Sequence, residues 1–169
     1  RVRGTEAPTA VDATAGLGED SLLLAAAGFT VTMFEKDPVI AALLRDALER
    51  AANDPQLTGV VARMTLVEGD SVAGLRALGF SPDVVFLDPM FPERTKSAAV
   101  KKKFQLLHHL ERPCDNEEEL LHAALTACPR KVVVKRPPKG SWLAGVKPSH
   151  SLAGKAVRYD VIVPPPSSH

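Results

Sequence analysis

Short apolar runs alternate along this chain with stretches whose apolar residues recur every three or four positions. Val84-Val85-Phe86-Leu87 is apolar at every position and half β-branched, which predicts a strand buried on both faces, as in a parallel sheet. Further strands are predicted at 9–14, 30–34, 64–67, 131–135 and 157–163. A helix is predicted from Glu19 to Ala27, closed by Gly28. Pro38 opens another, with Ile40, Leu43, Leu44, Ala47, Leu48 and Ala51 as its apolar stripe. A short helix reaches Leu78, and longer ones are expected over 97–110 and 116–128. Residues 139–150 read as a loop and 164–169 as a disordered tail. Strand and helix alternate throughout, so the expected fold is α/β, a doubly wound and mostly parallel sheet in one domain over 1–163.

Composition narrows the class without naming a chemistry. A chain of 169 residues with 45% apolar content can bury a sizeable core, and no apolar run approaches a membrane span. Cys114 and Cys128 are too few and too unpatterned for a disulfide scaffold or a zinc site, so a reducing, cytoplasmic setting without a bound metal is expected. No signal peptide is legible, and a chain opening on Arg1 is expected to be part of a longer one. The net charge of +1 hides strong local asymmetry. Five of the ten residues from Arg94 to Lys103 are basic, as are five of the ten from Arg130 to Lys139, where no acid intervenes. Such density suits phosphate, although a run of charge is also what a solvated surface needs.

The candidate chemistry lies where the predicted strands stop. The central run ends at Asp88-Pro89-Met90-Phe91-Pro92, and ligands of open α/β sheets bind outside the carboxyl ends of the strands. Two prolines stiffen that turn, which offers a carboxylate, a carbonyl and an aromatic ring to a flat molecule bearing an amino group. The first strand ends at Asp12, followed by Gly16 and Gly18, glycines that let a ligand approach the backbone at a helix start. The second ends at Glu35, 17 residues after Gly18, about where a carboxylate meets ribose hydroxyls. The third ends at Asp70-Ser71, able to accept from and donate to an adenine edge. Each acid alone would pass for a cap or a turn; together, at successive strand ends, they read as a cofactor pocket. Glu19 and Asp20 on the glycine turn repel a pyrophosphate and suit a cation. This favours S-adenosylmethionine, which carries a sulfonium and an ammonium, over NAD.

With these residues in hand the sequence resembles the class I methyltransferases, and within them the RsmJ family, which methylates the exocyclic 2-amino group of a guanosine in small-subunit (16S) ribosomal RNA. The resemblance covers 11–163 and is most specific at 11–18, 87–92, 96–102 and 132–137. It implies a Rossmann-like fold, S-adenosylmethionine as cofactor, and ribosomal RNA or the small ribosomal subunit as partner. By position it implies cofactor contacts at Glu19, Asp20, Glu35, Lys36, Asp70, Ser71 and Asp88, beside Asp12, Gly16 and Gly18. It further implies catalytic roles for Asp88, Pro89 and Phe91. Lys96, Lys101, Lys102, Lys103, Lys135 and Arg136 would hold RNA phosphates. Family members often carry a basic residue in place of Glu19 and a serine in place of Asp70, and a further N-terminal region of several dozen residues is expected before Arg1. Two rival readings are a DNA amino-methyltransferase, whose Asp-Pro-Pro-Tyr turn is matched except that Met90 replaces the second proline, and a non-catalytic RNA-binding module. Intact Gly16, Gly18, Glu35 and Asp88 oppose the latter.

Overall fold

The computed structural model describes residues 8–89 and 116–165. Seven strands, β1 (Thr9–Asp12), β2 (Thr30–Glu35), β3 (Met64–Glu68), β4 (Val84–Leu87), β5 (Lys131–Arg136), β6 (His150–Ala153) and β7 (Arg158–Ile162), form one sheet in the order β3-β2-β1-β4-β5-β7-β6. The first five run parallel, while β7 lies antiparallel to both β5 and β6. The described helices are α1 (Glu19–Ala26), α2 (Pro38–Ala52), α3 (Thr58–Val61), α4 (Ser71–Arg76) and α5 (Glu117–Thr126). None is long and apolar enough to cross a membrane.

Alternation along the strands divides the core in two, because successive side chains point to opposite faces. Val11, Val85, Leu87, Val132 and Val134 pack with Leu75 of α4 and Leu120, Leu121 and Ala124 of α5. Ala10, Val31, Met33 and Val84 pack on the other face with Ala25 of α1 and Leu44 of α2. The central β4 is buried at all four positions because both its faces and both its edges are covered. α2 starts as its sequence directs: Pro38 occupies the first turn and Asp37 caps it, accepting from the N–H groups of Val39 (2.8 Å) and Ile40 (3.1 Å).

The doubly wound, mostly parallel sheet agrees with expectation, apart from local differences. The first strand stops at Asp12, two residues early, because the Thr14 N–H turns back onto the Asp12 carboxylate. α3 forms where a loop was expected, and α4 ends at Arg76. β6 replaces the end of the expected 139–150 loop; all four of its residues are exposed, so no apolar alternation marks it. Leu43 of the expected α2 stripe is 45% exposed, and Ala41 is buried in its place.

Candidate active site

The carboxyl ends of β1, β4 and β5 gather a connected set of polar groups. Asp12 closes β1 and is 1% exposed. One of its oxygens accepts from the Ser21 hydroxyl (2.6 Å), and the other from the backbone N–H (3.0 Å) and hydroxyl (3.4 Å) of Thr14. The Thr14 hydroxyl in turn accepts the N–H of Asp88 (2.7 Å). The buried end of β1 therefore fixes the backbone at the end of β4.

The Asp88 side chain is held from the other side. Leu87 pairs with Val134, so Lys135 stands level with Asp88 on the neighbouring strand. Its ammonium lies 3.0 Å from Asp88 Oδ2 and 2.6 Å from Oδ2 of Asp20 in the first turn of α1. One cation is thus clamped between two carboxylates 68 residues apart in sequence. Burial works against the Lys135 charge, but its bonds to Asp20 and Asp88 outweigh that and hold the ammonium above its usual range. Burial also pushes the Asp88 carboxyl up, with the Asp20 charge acting in the same direction, while Lys135 opposes both. Among the described residues no partner takes Asp88 Oδ1. Pro89, directly after it, is buried.

The glycine turn between β1 and α1 is closed by Glu35. One Glu35 oxygen accepts the Gly16 N–H (2.9 Å) and the other the Asp37 N–H (2.8 Å), so the end of β2 braces the turn. Gly16 (φ 51°) and Gly18 (φ 79°) are left-handed, a conformation that side chains disfavour. A Cβ on Gly18 would also sit 2.8 Å from Leu44 Cδ1. Glu19 and Lys36 are exposed beside this turn. Asp70 caps α4 through the Ala73 N–H (2.9 Å), with Ser71 half-buried behind it. The strand ends thus bring together Asp12, Gly16, Gly18, Asp20, Glu35 and Asp88.

Of the residues expected to hold phosphate, Lys135 and Arg136 have partners within the fold. Lys135 is committed to Asp20 and Asp88. Arg136 is buried, with Nε donating to the Ser141 carbonyl (2.8 Å) and the guanidinium 3.5 Å from Glu117. Alternation along β5 turns Arg136 inward, so it does not offer a phosphate surface. Phe91, Lys96, Lys101, Lys102 and Lys103 lie outside the described residues. Thr14 was not expected in the site. A threonine two residues after a strand-ending aspartate is the signature of a turn closed on the aspartate side chain, and that signal could have found it.

Burial dominates Asp12 and pushes its carboxyl up to about 6 from 3.8, against the bonds from Ser21 and Thr14. The folded chain therefore takes up a proton between roughly pH 6 and 4 that the unfolded chain does not. That contribution stabilises the fold below this window and is lost as pH rises through it. Asp12→Asn removes the titration, so the variant should gain stability relative to the parent by up to about 3 kcal/mol between pH 4 and 7. Urea unfolding at both pH values measures it; a constant difference would show that Asp12 titrates normally.

The acids fit a cofactor bearing an ammonium and hydroxyls, since Asp20 and Glu35 border the left-handed glycine turn and neither β1 nor β2 contributes a basic residue to it. The strand order with its reversed seventh strand, and this edge, define a Rossmann-like methyltransferase domain. The chain belongs to the family described as "Putative SAM-dependent methyltransferase", whose model matches residues 1–164. It is 49% identical over 164 residues to ribosomal RNA small subunit methyltransferase J of Thioalkalivibrio sulfidiphilus, covering 96% of this chain and 64% of that protein. The protein of the same name from Pseudomonas aeruginosa is 50% identical, covering 91% of this chain and 59% of the relative. This chain thus spans less than two thirds of these relatives. The crystal structure of a SAM-dependent methyltransferase from Neisseria gonorrhoeae superimposes with a TM-score of 0.79 at 40% identity, covering 95% of this chain and 63% of that one. The resemblance to the RsmJ family stands, with S-adenosylmethionine as the family's cofactor.

Proposed function

We propose that this chain transfers a methyl group from S-adenosylmethionine to the exocyclic 2-amino group of a guanosine in ribosomal RNA of the small subunit. The observation that carries the reading is the fixation of Asp88: its backbone is held by Thr14, its Oδ2 by Lys135, and among the described residues its Oδ1 is left to accept. The names of the relatives support the RNA substrate.

Bound S-adenosylmethionine supplies an activated methyl on a sulfonium. The chain's own contribution is positioning and electrostatics. Glu35, Asp20 and Asp70 would hold the cofactor's polar groups around the glycine turn. The guanine amine is a poor nucleophile because its lone pair is delocalised into the ring. Asp88 Oδ1 and the Pro89 carbonyl would accept its two N–H bonds, which orients the nitrogen and localises that pair. Lys135 keeps the Asp88 carboxylate charged, so that it accepts and does not donate. Phe91 is assigned to stack on the base, which must leave its own stack to reach the crevice.

The test is transfer of tritiated methyl from S-adenosylmethionine to small subunits lacking the modification, to the protein-free RNA and to DNA. Label in RNA at the guanine 2-amino group is expected. Label in DNA alone would transfer the site to the rival amino-methyltransferase reading, and absence of cofactor binding by calorimetry would leave a non-catalytic module.

A further inference from the structure

From Arg130 to Tyr159 the chain holds eight lysines and arginines and no acid. Five of the eight are accounted for. Lys135 is clamped by Asp20 and Asp88, Arg136 reaches Glu117, Arg158 pairs with Asp160 (2.8 Å), and Arg130 lies 3.3 Å from Asp83. Lys131 starts β5 at the far end of the sheet from Asp88. Lys139, Lys147 and Lys155 are exposed, with no ion pair among the described residues.

Two of these three are built into the same edge as Asp88. The register runs Leu87 to Val134 and then Arg136 to Arg158 to Ala153, so the loop after β5 and the β6–β7 turn leave the sheet side by side, just beyond Asp88. Arg158 ties them together, donating to the carbonyls of Pro138 (3.0 Å) and Gly140 (2.9 Å) from the foot of the turn that carries Lys155. Arg136 holds the next carbonyl, that of Ser141, and Glu117 accepts the Ala144 N–H (3.0 Å). Leu143 is buried in the core. Between these anchors Trp142 is 42% exposed. A loop pinned by two arginines and a buried leucine thus presents a large aromatic ring to solvent. Lys147 lies farther along, where the chain descends to β6.

We infer that the loop after β5 and the β6–β7 turn form an RNA platform, on which Trp142 stacks on an unpaired base and Lys139 and Lys155 meet the phosphates beside it. An aromatic side chain with exposed cations on the same two loops matches single-stranded nucleic acid, because every base offers a π-face and every linkage a charge. The platform takes over the role expected of Lys135 and Arg136, whose charges are spent inside the fold. It rests on the proposed RNA substrate and names where that RNA lies outside the crevice.

Trp142 is the only tryptophan, so its fluorescence reads the platform directly. Titrating the full chain with a mixed-sequence single-stranded RNA oligonucleotide should quench it. Trp142→Ala should weaken binding roughly 5- to 150-fold with an unchanged salt slope, and Trp142→Phe should retain most of the affinity. Lys139→Ala with Lys155→Ala should flatten the slope by about 1.4, two single-strand phosphate contacts, while calorimetric cofactor binding holds. A parent that methylates small subunits but shows neither quenching nor a changed slope overturns the platform alone. Equal quenching by a polyglutamate peptide overturns it in favour of an acidic protein partner. A parent that neither binds RNA nor transfers methyl overturns the functional reading as well.

Discussion

Asp88→Asn should cut methyl transfer by about 10²–10³-fold, the range found when one preorganised polar contact to a transition state is removed. The amide keeps the shape of the side chain, and its carbonyl oxygen still faces either Lys135 or the crevice. It loses the full negative charge proposed to localise the amine lone pair, and its NH₂ group can turn a donor toward a substrate that would also donate. Asp88→Ala should be at least as damaged. The fold should survive both, because the backbone bond from Asp88 to Thr14 does not involve the side chain. Asp88 is 38% exposed at its side chain, so solvent screening keeps the stability cost of the weakened pair near 1 kcal/mol. Single-turnover transfer at saturating cofactor, beside a melting curve, separates the two effects. Near-normal turnover in the Asn variant would remove the acceptor role assigned to the carboxylate.

The part of the site that local sequence could reveal is the part built from strand ends. Asp12, Glu35 and Asp88 each follow an apolar run, and the parallel sheet carries all three to one edge, so alternation and spacing suffice to group them. The connections among them are another matter. Lys135 looks like a free cation in sequence because no acid lies between Arg130 and Tyr159. Its partners lie 115 and 47 residues away and meet it only through the order of strands and the docking of α1. Arg136 misleads in the same way, since period-two alternation on β5 sends it inward beside Lys135. Charge density is a local property, whereas charge pairing is a tertiary one.

The antiparallel end of the sheet was half legible for a related reason. β7 shows buried positions at Asp160 and Val161, and an apolar alternation marked it. β6 has no buried residue, so burial left no imprint on its sequence. It is defined by pairing with β7, helped by the Ser151 hydroxyl on Asp160 (2.6 Å). α1 shows the converse: its leucine run suggests a buried stripe, yet its fully buried residues are Ser21 and Ala25, and Leu23 is 66% exposed. Ser21 is buried for its bond to Asp12, a reason that no hydropathy pattern records.

Lys135→Met should lower kcat and move the acid limb of the kcat/KM profile to higher pH. The groups facing Asp88 fix the sign. Burial holds its carboxyl up, the charge of Asp20 pushes the same way, and Lys135 with Arg136 opposes them. Removing Lys135 deletes the strongest opposing influence, so Asp88 becomes protonated at a higher pH than in the parent. A protonated Asp88 would donate where the proposed mechanism needs it to accept, so activity on the acid side should be lost sooner. The same substitution leaves Asp20 and Asp88 facing each other without a cation. With exposure discounted, this should cost about 1–2 kcal/mol of stability. Lys135→Arg keeps the charge and should leave the acid limb close to the parent's, which separates electrostatics from a general loss of structure. A phosphate-binding lysine predicts another pattern: the salt slope of RNA binding would flatten by about 0.7 while the pH limb stayed in place. Measuring both on the same variant decides whether this lysine serves the Asp88 carboxylate or the RNA backbone.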